Sequence, residues 1–143
     1  MTDEIERLKW HTHSYDELTR GWVYLTTTGP LTSTSWDGDA RSTEAATLLD
    51  LSSVFGVPAG VKQVLVRLAC RDSAAVGTVS LNANVGPSAT YFYQVSSIAH
   101  GGDLVTSQTA PCNCDANGDI YYRIAASGAG TMDVWLEIWG YLP

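Results

Sequence analysis

The chain has 143 residues and a formal net charge of −7, with 45% hydrophobic and only 16% charged residues. This length is typical of one domain that buries an ordinary core without metals or cross-links. The acidic balance leaves no basic stripe for a phosphate backbone, so we expect no nucleic-acid partner. No window approaches the roughly 18–20 apolar residues of a membrane span, so we expect no membrane partner either.

Residues 1–20 differ from the rest of the chain and are predicted to form an N-terminal arm. The charged start lacks the pattern of a secretory signal. The arm has too little apolar surface for an independent helix. Its docking candidates, on a partner or on the domain itself, are Ile5, Leu8, Trp10 and Tyr15. A frayed terminus is the alternative.

Residues 21–143 are predicted to form a single β-domain of short strands separated by turn residues. The strands are expected at 22–26, 47–51, 61–71, 76–85, 91–97, 104–107, 120–126 and 132–141. Gly29-Pro30 and Asp37-Gly38-Asp39 are expected to interrupt the pattern, which leaves at most a short strand at 31–36. The connector 52–60 favours one helical turn before Gly56. About eight strands indicate an all-β fold, a single antiparallel β-sandwich that is jelly-roll-like. Another eight-stranded sandwich is the alternative, because periodicity does not encode the order of the strands.

The strand at 61–71 has the clearest alternation of apolar and polar residues. Val64, Val66, Leu68 and Cys70 fall on one face, so Cys70 is predicted to be a small core residue. Three cysteines cannot pair completely within one chain. A soluble product with reduced thiols, made in a cytoplasm, therefore fits best.

The last two strands both place apolar residues at even positions. If both rows face one core as a hairpin, the connection between the strands needs an odd number of residues. That hairpin would expose an outward row rich in aromatics. The row comprises Asp133, Trp135, Glu137, Trp139 and Tyr141, beside Tyr121 and Arg123.

Large aromatics on an outward strand face are unusual for a free monomer, so something should cover this row. Another subunit is the first expectation, because aromatic residues are enriched in interface cores. The chain's own arm or a second sheet is an alternative. A sugar stacked on Trp135, Trp139 and Tyr141, with its hydroxyls bonded by Glu137 or Arg123, is a further one.

Candidate chemical motifs in the sequence are weak. His11 and His13 are two apart, whereas a zinc site needs three or four converging ligands. The segment 115–119 spaces oxygens like a calcium loop but lacks the glycine and distant glutamate of a complete site, and Asn117-Gly118 independently favours a tight turn. We therefore predict no metal site and no cofactor.

No catalytic residues are predicted. The sequence holds no nucleophile-elbow motif and no phosphate-cradling glycine motif. A hydrolase would require acids such as Asp37, Asp39, Asp133 or Glu137 to converge in one cleft. Carboxylates in β-turns are more often turn residues, so the expected function is not enzymatic.

Three long stretches carry a family resemblance. They are WVYLTTTGPLTSTSWDGDA (22–40), LLDLSSVFGVPAGVKQVLVRLACRDS (48–73) and PCNCDANGDIYYRIAASGAGTMDVWLEIWGY (111–141). They resemble small β-domains encoded by tailed bacteriophages. The resemblance implies a virion structural protein: a capsid decoration, head-fibre or tail component. Its implied partners are copies of itself, in a trimer or larger ring, and other virion proteins. Recognition of host-surface glycans is the alternative function.

Overall fold

The computed structural model describes residues 21–74, 80–100 and 103–143. Nine strands lie in these ranges: β1 (Val23–Tyr24), β2 (Asp37–Arg41), β3 (Glu44–Leu49), β4 (Gln63–Asp72), β5 (Asn82–Gly86), β6 (Val95–Ile98), β7 (Thr106–Asn113), β8 (Ile120–Ala125) and β9 (Met132–Leu142). A 3-10 turn (Thr34–Trp36) and one short helix, α1 (Leu51–Phe55), complete the described elements. Neither helix is long enough to cross a bilayer.

The strands form two antiparallel sheets that pack face to face. Sheet A has the order β2-β9-β4-β7, with β1 pairing beside β2 on the same edge of β9. Sheet B has the order β3-β8-β5-β6. Strands β2 to β9 thus pair as first with last and second with next-to-last, as in a long hairpin rolled into a jelly roll. The predicted all-β jelly-roll sandwich is confirmed.

The core between the sheets is built from alternate residues of the central strands. Strand β4 buries Val64, Val66, Leu68 and Cys70, and the role predicted for Cys70 is confirmed. Strand β9 buries its even-numbered residues from Met132 to Ile138, and β8 buries Ile120, Tyr122 and Ile124 from the opposite sheet. Each large side chain removed from water in this way contributes about 1.5–3 kcal/mol.

The predicted hairpin between the last two strands is wrong. Strand β8 lies in sheet B and β9 in sheet A, and residues 126–131 cross from one sheet to the other. Both even-numbered rows do face the core, but from opposite sides. The alternation of apolar residues shows which face of a strand is buried, but it does not show which strand lies beside it. A hairpin in one sheet and two strands in opposite sheets therefore have the same sequence pattern.

The short helix α1 follows the prediction of one turn before Gly56. The Asp50 carboxylate caps its start by accepting hydrogen bonds from the backbone N–H of Ser52 and of Ser53, both at 3.1 Å. Gly56 ends it in the left-handed conformation, with φ 76°. The Asp119 carboxylate accepts the backbone N–H of Leu51 at 3.0 Å and thereby ties α1 to the turn before β8.

Two other sequence predictions need correction. The segment at Asp37 begins β2 rather than breaking the pattern, because Gly38 (φ 85°) sits at a register shift and lets the strand continue. Strand β7 runs on through Pro111 to Asn113, where a short strand at 104–107 was expected. A proline is tolerated there because β7 is an edge strand.

One side of the sandwich is closed by glutamine side chains. Gln108 of β7 accepts the backbone N–H of Ser96 in β6 at 2.9 Å, and Gln94 accepts that of Asn113 at 2.7 Å. These side chains therefore join β6 and β7, two edge strands of different sheets that are not paired with each other. These bonds satisfy backbone groups that would otherwise be open to strand pairing with another chain.

The opposite side of the sandwich is closed by a cation and two aromatic rings. The Arg41 guanidinium lies 3.5 Å from the centroid of the Trp36 ring and 5.7 Å from that of Tyr122. The Tyr122 hydroxyl donates to Glu44 at 2.7 Å. Arg41 thus contacts aromatic rings at the edge where the chain passes from β2 of sheet A to β3 of sheet B, and we assign it a structural role there.

Candidate functional site

The charged residues on the outer face of sheet A neutralise one another across strands. Arg67 donates to Glu137 at 2.5 Å, and Arg71 donates to Asp133 at 2.6 Å. Each pair consists of direct cross-strand partners on β4 and β9. Glu137, predicted as a sugar ligand, is therefore already committed to an arginine.

Trp135 of the predicted aromatic row covers its own sheet. The ring lies against Gly38 of β2, so closely that a Cβ on that glycine would be 2.8 Å from the indole nitrogen. The Arg71 guanidinium lies 5.7 Å from the ring centroid. The cross-strand partner of Trp135 is Ala69, which is fully buried although it faces outward. Residues of the domain itself thus cover part of the aromatic row, for which another subunit was the first expectation.

A β-bulge divides the rest of the row. Gly140 pairs with Leu65 and Ile138 with Val66, so Trp139 is the extra residue between them. Beyond the bulge, Tyr141 pairs with the buried Val64 and packs against the core. The prediction that Tyr141 points outward is wrong, because one inserted residue reverses the faces that follow it. Trp139 remains half-buried.

Tyr121 and Arg123 lie on the other side of the molecule. They belong to β8, and their neighbours Ile120, Tyr122 and Ile124 fill the core, so both point outward from sheet B. The sequence analysis placed them beside Trp135 because it paired β8 with β9. The predicted site residues are therefore not brought together.

The outer face of sheet B carries a surface that the sequence analysis missed. After β5 the chain turns back, and the backbone of Tyr91 and Phe92 passes over Gly86. A Cβ on Gly86 would be only 2.0 Å from the Tyr91 carbonyl oxygen. Phe92 then contacts Arg123, with 5.5 Å between the guanidinium carbon and the ring centroid. The aromatic run Tyr91-Phe92-Tyr93 was the available sequence signal, and it was interpreted as a strand.

Apolar side chains are also exposed at the two ends of the sandwich. At one end, where β1 pairs with the last residues of β9, Tyr24 is 57% exposed and its ring stacks on Trp22 with 6.0 Å between centroids. At the other end, beside the start of β7, Ile98, Leu104 and Val105 are each at least half exposed. We call these the aromatic end (Trp22, Val23 and Tyr24) and the aliphatic end (Ile98, Leu104 and Val105).

The buried carboxylates hold loops together. Asp72 is fully buried at the end of β4 and accepts hydrogen bonds from Ala74, Ser127 and Thr131. Burial alone would raise the pKa of Asp72, but these hydrogen bonds outweigh it and the pKa is lowered. Burial raises the pKa of Asp119, which one backbone N–H offsets only in part.

The segment at Asp115 forms the predicted tight turn. The Asp115 carboxylate accepts the backbone N–H of Asn117 and of Asp119, both at 2.9 Å. Gly118 has φ 82° and packs against the backbone of Gly60. The oxygens of Asp115 are thus used within the turn.

The thiols are held in their protonated form. Burial raises the pKa of Cys112 and of Cys114 to about 12, and burial also raises the pKa of Cys70. A thiol, rather than a thiolate, is a poor nucleophile and a poor metal ligand.

Within residues 21–74, 80–100 and 103–143, no three His, Cys, Asp or Glu side chains are grouped to hold a metal. The weak candidate ligands His11 and His13 lie outside the described residues, as do the arm candidates Ile5, Leu8, Trp10 and Tyr15.

No family model matches the chain. No curated protein matches it significantly.

Proposed function

We propose that this chain is a non-enzymatic structural protein of a tailed-bacteriophage particle, which assembles with further copies of itself and docks on neighbouring virion proteins. The observation that carries the proposal is the presence of two exposed apolar surfaces at opposite ends of one sandwich. Isolated apolar residues are common on protein surfaces, whereas clusters of them mark contact sites.

The two ends differ in chemistry, which favours contact between unlike surfaces. The aromatic end offers the stacked rings of Trp22 and Tyr24, and the aliphatic end offers the branched side chains of Ile98, Leu104 and Val105. A contact between unlike surfaces repeats in one direction and closes into a ring when the rotation allows it. A two-fold dimer would instead use one surface twice. The arrangement therefore supports the trimer or larger ring that the family resemblance implies.

The charged groups support a binding role over a hydrolytic one. Of the acids considered for hydrolysis, Asp133 is paired with Arg71 and Glu137 with Arg67. These two carboxylates are better explained as cross-strand partners that stabilise sheet A.

The location in a virion rests on the resemblance of residues 22–141 to phage β-domains and on the type of fold. Jelly rolls occur in viral capsid proteins and in lectins, among other proteins. A fold does not determine a function, so this analogy supports the proposal without establishing it. The protein would be made in the host cytoplasm and then incorporated into the particle.

Light scattering coupled to size-exclusion chromatography tests the assembly. We expect a trimer or larger ring at about 100 µM, and a shift toward monomer in the Leu104→Ser variant. Leu48→Ser is the matched control, because Leu48 is also about half exposed but lies on β3 of sheet B and belongs to neither apolar surface. A wild-type chain that stays monomeric, and that does not bind particles lacking it, would contradict the proposal.

A further inference from the structure

The outer face of sheet B has a hydrogen-bonded polar floor. Asn84 lies between its cross-strand partners Arg123 and Ser96. The Ser96 hydroxyl donates to the side-chain oxygen Oδ1 of Asn84 at 2.6 Å. The side-chain Nδ2 of Asn84 in turn donates to Oδ1 of Asn82 at 2.5 Å. Asn84 is buried although it faces outward from the sheet. The amides are therefore held in fixed orientations, as a polar recognition surface requires.

The segment 87–94 forms an aromatic wall along one side of this floor. Its backbone rests on Gly86, and the Phe92 ring meets the Tyr93 ring edge to face at a centroid distance of 4.9 Å. Tyr91 and Tyr93 are 65% and 61% exposed, more than any other aromatic residue in the described part of the chain. Each offers an apolar ring face together with a hydroxyl group that can donate or accept a hydrogen bond.

Arg123 brings a positive charge to the junction of floor and wall. Arg67 and Arg71 each lie within 4.0 Å of a carboxylate, whereas Arg123 has no such partner among the described residues. Its guanidinium instead packs near the Phe92 ring. A cation–π contact of this kind holds the guanidinium beside the ring and leaves its N–H groups for an acceptor.

We propose that this face binds an oligosaccharide that contains an acidic sugar. Tyrosine rings stack on the C–H faces of sugars, and the partly exposed Asn82 and Ser96 offer polar groups to sugar hydroxyls. The guanidinium of Arg123 matches the carboxylate of an acidic sugar through two parallel hydrogen bonds.

Calorimetric titration of the full-length chain with defined oligosaccharides tests the proposal. The probes are trigalacturonic acid and trisialic acid, with maltotriose as the neutral comparison. We expect the acidic probes to bind, and the Arg123→Gln variant to weaken that binding about 10-fold or more, the usual effect of losing a hydrogen bond to a charged group. The double variant Tyr91→Ala/Tyr93→Ala should weaken it by a similar factor.

Arg67→Gln is the matched control for Arg123→Gln, because Arg67 is an arginine on the outer face of the opposite sheet, on β4. It should leave sugar binding unchanged, which shows that the loss of binding is specific to the face of sheet B. Near-ultraviolet circular dichroism verifies that each variant is folded, and Arg123→Lys replaces Arg123→Gln if the latter is not. The proposal is overturned if no acidic probe binds at 10 mM, if the tyrosine variant binds as well as wild type, or if maltotriose binds equally well.

Discussion

Replacing Gly86 with alanine should detach the segment 87–94 from sheet B. The new Cβ would lie 2.0 Å from the Tyr91 carbonyl oxygen and 2.5 Å from the Phe92 Cα. Ordinary contacts begin near 3.4 Å, so the backbone of this segment must move by about 1.4 Å. Backbone, unlike the end of a flexible side chain, cannot make this shift without losing other contacts.

The cost can be worked out from those contacts. Forced overpacking costs about 1–3 kcal/mol. The same movement weakens the hydrogen bond from the Gln94 N–H to the Val85 carbonyl, worth about 1 kcal/mol. It also separates Phe92 from Arg123, which costs about 0.5–1 kcal/mol. We expect the free energy of unfolding to fall by about 2.5–5 kcal/mol, a large part of the roughly 5–15 kcal/mol of a typical domain.

Urea denaturation followed by tryptophan fluorescence measures this change. Gly128→Ala is the control, because its Cβ would meet only the γ-methyl group of Thr131, at 3.3 Å. That variant should change stability by less than about 1 kcal/mol. If Gly86→Ala costs no more than the control, the segment does not pack on sheet B as described.

Three further predictions concern the buried groups. Because the folded state lowers the pKa of Asp72, its carboxylate stabilises the fold fully above about pH 4, and this stabilisation is lost as the pH falls through the folded-state pKa. Asp72→Asn should therefore cost about 1–3 kcal/mol in urea titrations at pH 7 and less at pH 3. Cys112 and Cys114, with pKa values of about 12, should react with a thiol reagent at pH 8 about 1000-fold more slowly in the native than in the urea-unfolded protein. Tyr141→Ala should lower the free energy of unfolding by about 2 kcal/mol, since Tyr141 packs on the core; an unchanged urea midpoint would place it outside.

Much of the fold could be predicted from the sequence, because alternation is strong wherever a strand has one buried face. The even-numbered residues of β4, β8 and β9 follow this rule. The partners of these strands could not be predicted, since β8 and β9 would show the same alternation in one sheet or in two. In a jelly roll nearly every connection crosses between sheets, so neighbours in sequence are poor guides to neighbours in space.

The candidate surfaces were harder to predict, because they depend on single local departures from regularity. One bulge at Trp139 moves Tyr141 from the outer face to the core. The close approach of Phe92 to Gly86 creates the aromatic wall on sheet B, and no pattern in the sequence encodes that tertiary contact. Exposure of Leu104 likewise depends on the position, relative to both sheets, of the residues that directly precede β7.

Mixing two assembly-deficient variants tests the head-to-tail contact most directly. Tyr24→Ser removes the aromatic end, and Leu104→Ser/Val105→Ser removes the aliphatic end. Each variant alone has one intact surface and should be monomeric by light scattering at about 100 µM. An equimolar mixture restores one complementary contact, so it should give a heterodimer with twice the mass of the chain and nothing larger. If the mixture stays monomeric while wild type forms a ring, or if either variant still forms the ring, the two ends do not bind each other.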